Sequence, residues 1–384
     1  MNSLIQRFRL LPGKSVVAKA EYALWRILRR RLISTGAIYE NGEPFSMLTK
    51  VGEQNRQCVM PTKIVCVTGF GHSGSGVITD LLSEYDGVSI QGFVDKNGSL
   101  RQGGGMEFDI LRHAGGIFDI ENAIQRDNPF VQDSVVKQFM ALVASYYYNP
   151  RCYYREILRL ASRKFLDEIV DYIVPTPDGY EYCPHLRMLG DRGFRLLYES
   201  ERNAQGVFAL RKMNVDEYRS VAKRYVSLLL SKLSTAECLL LDQAVSDGSA
   251  EIEKYKAYLG AIKLIAVYRD PRDVFVTGIQ LHENWIPHES KTFVQWYKRQ
   301  VEPYRCLKDD DFLLLRFEDL VTKYDESVSI VENFIGISSS THVNQRSGFD
   351  PMVSRKNIGI YKVFVNQDDV GLIQRDLEDY CFNG

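Results

Sequence analysis

The chain has 384 residues, 45% hydrophobic and 25% charged, with a formal net charge of −1. That length allows one large domain or two of ~100–200 residues, with enough apolar side chains for a full core. The near-average Gly (28) and Pro (12) content excludes collagen-like and low-complexity chains, and the balanced charge argues against a nucleic-acid coat or an acidic tail.

Residues 1–35 hold eight Lys/Arg and a single acid, Glu21, so a basic head precedes a mildly acidic body. Val17, Ala20, Leu24, Ile27 and Leu28 recur at helical spacing beside Trp25, and the bases Lys19, Arg26, Arg29 and Arg30 lie among them. We expect a basic amphipathic N-terminal extension over residues 1–60. A peripheral contact of residues 1–35 with an anionic membrane surface is one reading of it; a helix packed on the body with a solvated basic face is the other. The seven cysteines are widely spaced and form no CxxC, which is thiol usage of a reducing compartment. No run of ~18 apolar residues and no signal-peptide pattern is present, so the expected location is cytoplasmic, with a place at the inner face of the membrane if the basic helix binds there.

The body, residues 61–384, starts with the β-rich run Lys63–Thr68, then Gly69-Phe-Gly-His-Ser-Gly-Ser-Gly76, then an apolar helix pattern at Val77, Ile78, Leu81 and Leu82. Strand, glycine loop and helix in this order form an anion cradle, because amides at a helix start point outward and glycines let a phosphate approach the backbone. A tight turn between strand and helix is the plainer alternative. Gly69 and Gly74 have the spacing of a nucleotide-triphosphatase loop, but Ser75 and Gly76 replace its Lys and its Mg²⁺-binding hydroxyl. A dinucleotide-type match at Gly69, Gly71 and Gly74 lacks the acid expected ~20 residues on, near Ser89.

Residues 101–116 are glycine-rich and irregular, and about 120–235 reads as a mostly helical insertion. Three further apolar runs follow: Cys238–Leu241, Ile262–Val267 and Phe312–Leu315. Continuous apolar strands alternating with helices imply a parallel sheet covered on both faces. The expected fold is therefore α/β: a three-layer, P-loop-like fold with a central parallel β-sheet flanked by helices, plus the helical insertion and the basic N-terminal helix. The second run leads into Arg269-Asp-Pro-Arg-Asp273, with Pro271 in the favoured first turn of a helix. Arg269 stands where ligands bind in open α/β sheets, and with the Thr277 hydroxyl it can grip a phosphate. A structural network of Arg269 with Asp270 or Asp273 is the competing reading.

These segments resemble the sulfotransferases that use 3′-phosphoadenosine 5′-phosphosulfate (PAPS). Residues 63–85 are similar to that family's 5′-phosphosulfate loop, and Tyr268–Val274 through Thr277 to its 3′-phosphate segment. Leu315-Arg-Phe-Glu-Asp-Leu320, followed by a helix ending at Phe334-Ile-Gly336, is the third match, and Lys356-Asn-Ile-Gly-Ile-Tyr-Lys362 is a looser fourth. The resemblance implies PAPS as donor, adenosine 3′,5′-bisphosphate (PAP) as product, no metal, and nucleotide contacts from Gly71, His72, Ser73, Gly74, Ser75, Gly76, Arg269, Thr277, Arg355 and Lys356. Family members usually carry Lys or Arg where this chain has His72; an imidazole there still donates to the leaving phosphate and carries charge when protonated.

The resemblance further implies sulfuryl transfer to a hydroxyl of a glycan or glycolipid by a bacterial, carbohydrate-type enzyme. Glu107 is the candidate general base, with Asp95, Asp109 and His113 as rivals and a solvated loop acid as the alternative for each. Asp242 and Gln243 can orient the acceptor or bind the glycine loop, and Glu318 and Asp319 are read as caps of the next helix. His282 and His288 have the wrong spacing for a zinc helix and are read as surface or acceptor-side residues. Tyr146, Tyr147, Tyr148, Arg151, Tyr153, Tyr154 and Arg155 offer aromatic faces and charged forks for sugars, or else lie on helices at a core edge. The competing function classes are a P-loop kinase-like phosphotransferase and a nucleotide-binding module without catalysis.

Overall fold

The computed structural model describes residues 61–90, 93–94, 100–101, 110–148, 155–174, 187–198, 207–234, 236–245 and 252–383. The chain divides into two units, residues 1–56 and 57–384, and every described residue belongs to the second. The expectations for the N-terminal extension, for Glu107, Asp95 and Asp109, and for Arg151, Tyr153 and Tyr154 fall outside the described residues.

The strands are β1 (Lys63–Gly69), β2 (Val88–Ile90), β3 (Phe93–Val94), β4 (Leu100–Arg101), β5 (Val170–Val174), β6 (Val207–Leu210), β7 (Cys238–Asp242), β8 (Ile262–Tyr268) and β9 (Phe312–Arg316). The helices are α1 (Gly76–Leu82), α2 (Ile117–Arg126), α3 (Pro129–Tyr147), α4 (Arg155–Ile169), α5 (Arg187–Tyr198), α6 (Val215–Leu233), α7 (Ile252–Leu259), α8 (Pro271–Gln280), α9 (Ser290–Cys306), α10 (Phe317–Thr322), α11 (Tyr324–Ile335), α12 (Pro351–Ser354) and α13 (Gln367–Asp376).

Five strands form one sheet in the order β2-β7-β1-β8-β9. All its pairings are parallel, with Val67 opposite Asp242, Gly69 opposite Val267, and Tyr268 opposite Arg316. Alternation along each strand divides the core. Ile64, Cys66, Leu239, Leu241, Ile262 and Leu264 join the core under α2, α3, α4, α6 and α7. Val65, Val67, Cys238, Leu240, Ile265 and Val267 join the opposite core with Ile78, Leu81, Leu320 and Val331. Each fully buried Val, Leu or Ile contributes about 1.5–3 kcal/mol, so a sheet apolar on both faces is stable only between two helical layers. A third cluster joins α8, α9 and α13 through Phe275, Phe293, Tyr297 and Ile373.

The four apolar runs read from the sequence are β1, β7, β8 and β9. The three-residue edge strand β2 is too short to leave a periodic signal. The insertion at 120–235 is mostly helical, but it also holds the antiparallel pair β5–β6, whose ladder is irregular between Val170 and Tyr172. Cys66, Cys238 and Cys381 are buried free thiols; burial alone pushes the Cys66 thiol up to about 12. Among the described residues no helix is long and apolar enough to cross a membrane.

Candidate active site at the carboxyl ends of the strands

Parallel pairing brings the carboxyl ends of β1, β7, β8 and β9 to one edge of the sheet, the ligand edge of open α/β folds. From β1 the chain turns through Phe70-Gly-His-Ser-Gly-Ser75 into α1. His72 takes a left-handed φ of 57° and Gly74 one of 89°. At Gly74 a Cβ would stand 2.4 Å from the Phe317 ring, so φ and space both require glycine. Gln243, directly after β7, is also left-handed at φ 54°. Its Nε2 donates to Ser75 Oγ at 3.0 Å, which ties the loop to β7, the second of the two roles read for it from the sequence.

Arg269, at the end of β8, is buried, and it joins three segments. Its Nη1 donates to the His72 carbonyl at 3.3 Å and to Thr277 Oγ1 at 3.4 Å, and its Nη2 donates to the carbonyl of Asn357. The guanidinium lies 5.3 Å from the Phe317 ring centroid. Burial disfavours its charge and lowers its pKa, opposed by Asp273, Glu318 and Asp270 nearby. Three buried polar atoms here have no hydrogen-bond partner: His72 Nε2, Ser73 Oγ and Arg269 Nε. Orphaned buried polar groups cost free energy and are rare in native folds; three donors on two facing segments fit an anionic ligand that accepts from all of them.

The family model described as the sulfotransferase domain matches residues 255–357. That span holds Arg269 with two of its partners, Thr277 and Asn357, and also Glu318, Arg355 and Lys356, whereas the glycine loop at His72 lies outside it. Residues 255–357 of the chain are thus similar to the sulfotransferase domain. No curated protein sequence matches it. Among solved structures, the sulfotransferase domain of the Synechococcus PCC 7002 olefin synthase is 9% identical at a TM-score of 0.38, covering 84% of this chain and 97% of its own. A sulfotransferase from Mycobacterium avium is 12% identical (TM-score 0.33; 88% of this chain, 81% of its own). Retinol dehydratase, solved in complex with retinol and PAP, is 14% identical (TM-score 0.32; 88% and 86%).

The scaffolding of this site divides the Arg269–Asp273 motif into distinct tasks. The Arg–Asp network considered for Arg269 is made by its neighbour Arg272, which grips Asp270 through Nε (3.0 Å) and Nη2 (2.5 Å). Asp270 also caps α8 through the Arg272 amide and accepts from the Phe382 amide, so it staples the C-terminal segment to the motif. Asp273 accepts from the amides of Gly359 (2.7 Å) and Tyr361 (3.1 Å) and holds the loop that follows Asn357; burial raises its pKa against those bonds. Arg269 is thereby left without an acidic side-chain partner among the described residues.

Glu318 differs from its expected capping role. It is fully buried, and its Oε1 accepts from the Asp270 amide at 2.9 Å while Oε2 has no partner. Burial pushes its carboxyl up to about 7. Asp319 stays in the first turn of α10 and pairs with Lys323 at 3.3 Å. Arg355 and Lys356 are exposed, and the backbone of Asn357, not their side chains, meets Arg269. The Ser73 amide is used within the loop, donating to the Phe70 carbonyl at 2.8 Å. Thr277 donates to the Asp273 carbonyl at 2.7 Å, which orients its lone pairs toward Arg269. Tyr147 is buried and bonded to Glu156, a core-edge position, whereas Tyr148 is exposed beneath the Arg192 guanidinium. His113, His282 and His288 are exposed. No three His, Cys, Asp or Glu among the described residues are grouped to hold a metal.

Sequence reasoning missed the turn after α8. Left-handed His282 (φ 53°) reverses the chain there, and the Trp285 indole packs onto Gly71, whose Cβ would fall 1.7 Å from the ring. Trp285 stacks on His72 at 6.0 Å and its Nε1 donates to Glu283 Oε2 at 2.7 Å. Glu283 Oε1 lies 3.6 Å from His72 Nε2, an ionic contact when the ring is protonated and too long for a hydrogen bond. The only hint was the His282–His288 cluster, read above for the acceptor side.

Proposed function

We propose that this sulfotransferase moves a sulfuryl group from PAPS to a hydroxyl of a glycan or glycolipid by in-line displacement. One observation carries the donor assignment: the Arg269 guanidinium joins the glycine loop at His72, the hydroxyl of Thr277 and the loop at Asn357. A donor with phosphates at both ends of one nucleoside suits such a junction. The bound donor supplies an activated sulfuryl group on its 5′-phosphate. Arg269, Thr277 and the exposed bases Arg355 and Lys356 would hold its 3′-phosphate. The loop amides with Ser73 Oγ and His72 would hold its 5′ end, where His72 donates to the leaving oxygen. Positioning and fixed donors then supply the rate enhancement, as in phosphoryl transfer.

The carbohydrate acceptor is supported by the Trp285 indole, 53% exposed beside His72, and by exposed Tyr148 with Arg192 over its ring. Flat aromatic faces suit sugar rings. A cytoplasmic location is our further reading, supported by the buried free thiols of Cys66, Cys238 and Cys381.

The test is calorimetry with PAP and with Mg²⁺-ATP, followed by transfer from PAPS to a panel of glycans. Binding of PAP with sulfation is expected. Preference for Mg²⁺-ATP would replace this reading with a phosphotransferase, and PAP binding without transfer would favour a non-catalytic module. His72→Ala should slow transfer more than it weakens PAP binding.

A further inference from the structure

We infer that Glu283 is the general base that deprotonates the acceptor hydroxyl. The inference rests on the sulfotransferase reading above and adds a residue to it. Three observations carry it. Glu283 Oε1 lies 3.6 Å from His72 Nε2, so this carboxylate stands at the mouth of the glycine loop. Its other oxygen is fixed by the Trp285 indole N–H at 2.7 Å, and the indole itself is seated on Gly71 and stacked against His72. Its side chain remains 34% exposed, so an incoming hydroxyl can reach the carboxylate from solvent.

The backbone builds this position deliberately. The turn ends α8 with the Leu281 amide on the Thr277 carbonyl (3.0 Å) and the Glu283 amide on the Gly278 carbonyl (3.0 Å), and left-handed His282 lies between them. Thr277 is also a partner of Arg269, so the turn that carries Glu283 follows directly on the helix that bears this hydroxyl. A carboxylate held at one oxygen by the indole N–H, with the other beside the His72 imidazole, has the geometry of a positioned base.

The step balances as follows. Glu283 Oε1 takes the proton of the acceptor hydroxyl. The electron pair of that O–H bond forms the new bond from the acceptor oxygen to sulfur. The bond from sulfur to the 5′-phosphate oxygen breaks, and its pair leaves on the phosphate, where His72 donates a hydrogen bond. The products are the sulfate ester, PAP and a protonated Glu283.

Glu283→Gln tests the assignment, because the amide oxygen still accepts from Trp285 while the basic site is lost. Two quantities are measured on the full-length chain: PAP affinity by calorimetry, and sulfate release from PAPS to water and to the glycan panel. A loss of turnover of about 100-fold or more, with PAP affinity within about threefold of wild type, is expected. Trp285→Phe should cause a smaller loss of turnover by releasing the carboxylate from its anchor. Turnover of Glu283→Gln close to wild type would overturn the inference, as would a parallel loss of PAP affinity, which would make Glu283 a nucleotide-binding or structural residue. A wild-type chain that binds PAP yet transfers sulfate neither to water nor to any glycan would refute the sulfotransferase reading itself; that outcome is seen in the wild type alone and so is separable from failure of Glu283.

Discussion

The Arg269 Nη1 group donates to the carbonyl oxygen of His72 across 3.3 Å, although the two residues are 197 positions apart in the chain. The bond joins the end of β8 to the loop after β1, two neighbouring strands of the sheet. It also explains why a buried guanidinium stays charged without an acid in contact: three backbone or hydroxyl oxygens accept from it, and the Phe317 ring lies over it. The glycine loop, the Thr277 hydroxyl and the Asn357 backbone are thus one connected unit, with the Arg269 guanidinium at its centre.

Removing that centre should uncouple the unit. Arg269→Ala is expected to weaken PAP binding by about 2–4 kcal/mol, roughly 30- to 1000-fold, as for truncation of a buried charged partner. Arg269→Lys should recover only part of this, because an ammonium lacks the planar fork that serves His72, Thr277 and Asn357 together. Calorimetric titration with PAP measures both variants.

The two loop glycines should respond differently. Gly74→Ala combines a left-handed φ with a Cβ 2.4 Å from the buried Phe317 ring and should cost about 2–4 kcal/mol in urea unfolding. Gly71→Ala meets only the far edge of the exposed Trp285 ring, which can swing away. It should leave the unfolding midpoint almost unchanged while altering tryptophan fluorescence.

Asp273→Asn leaves one acceptor oxygen for the two amides of Gly359 and Tyr361. Faster hydrogen exchange at those two amides and a PAP affinity lower by about 10- to 100-fold are expected, the size of one lost hydrogen bond to a charged acceptor. Mass spectrometry of exchange over residues 355–365 checks the first, and calorimetry the second.

Glu318 supplies a pH dependence. Its carboxyl is raised from 4.5 to about 7 by burial, so between those values the folded chain holds a proton that the unfolded chain has released. Stability from this group is full below pH 4.5 and declines as pH rises to about 7, by on the order of 3 kcal/mol. Glu318→Gln keeps an acceptor for the Asp270 amide and removes the titration. Urea unfolding at pH 5 and pH 8 should therefore show a smaller loss of stability in the variant than in wild type. Asp80, raised to about 6 by burial with Asp242 and Glu84 nearby, titrates in both proteins and cancels from the comparison.

Local chemistry made much of the site legible. The apolar runs of β1, β7, β8 and β9 announced buried parallel strands, and Pro271 marked the start of α8. Arg269 and Thr277, eight positions apart on a strand end and a helix, were readable as a pair, and they are in contact. Glu318 misled because an acid in a first turn is read as a cap, whereas here the turn is buried against the Asp270 amide. Glu283 gave no such signal. Its importance lies in Trp285 and His72, and the seat of that indole is a glycine more than 200 positions upstream.

The amino-acid sequence by itself determined the sheet, its burial on both faces and the segments that meet at its carboxyl edge, because periodicity, glycine and proline placement act within a few residues. Only the tertiary structure decided which of the two motif arginines faces the ligand edge, which carboxylate stands beside His72, and which backbone Asp273 holds. Those choices depend on contacts made when parallel strands from distant parts of the chain align their carboxyl ends, and spacing along the chain carries no record of them.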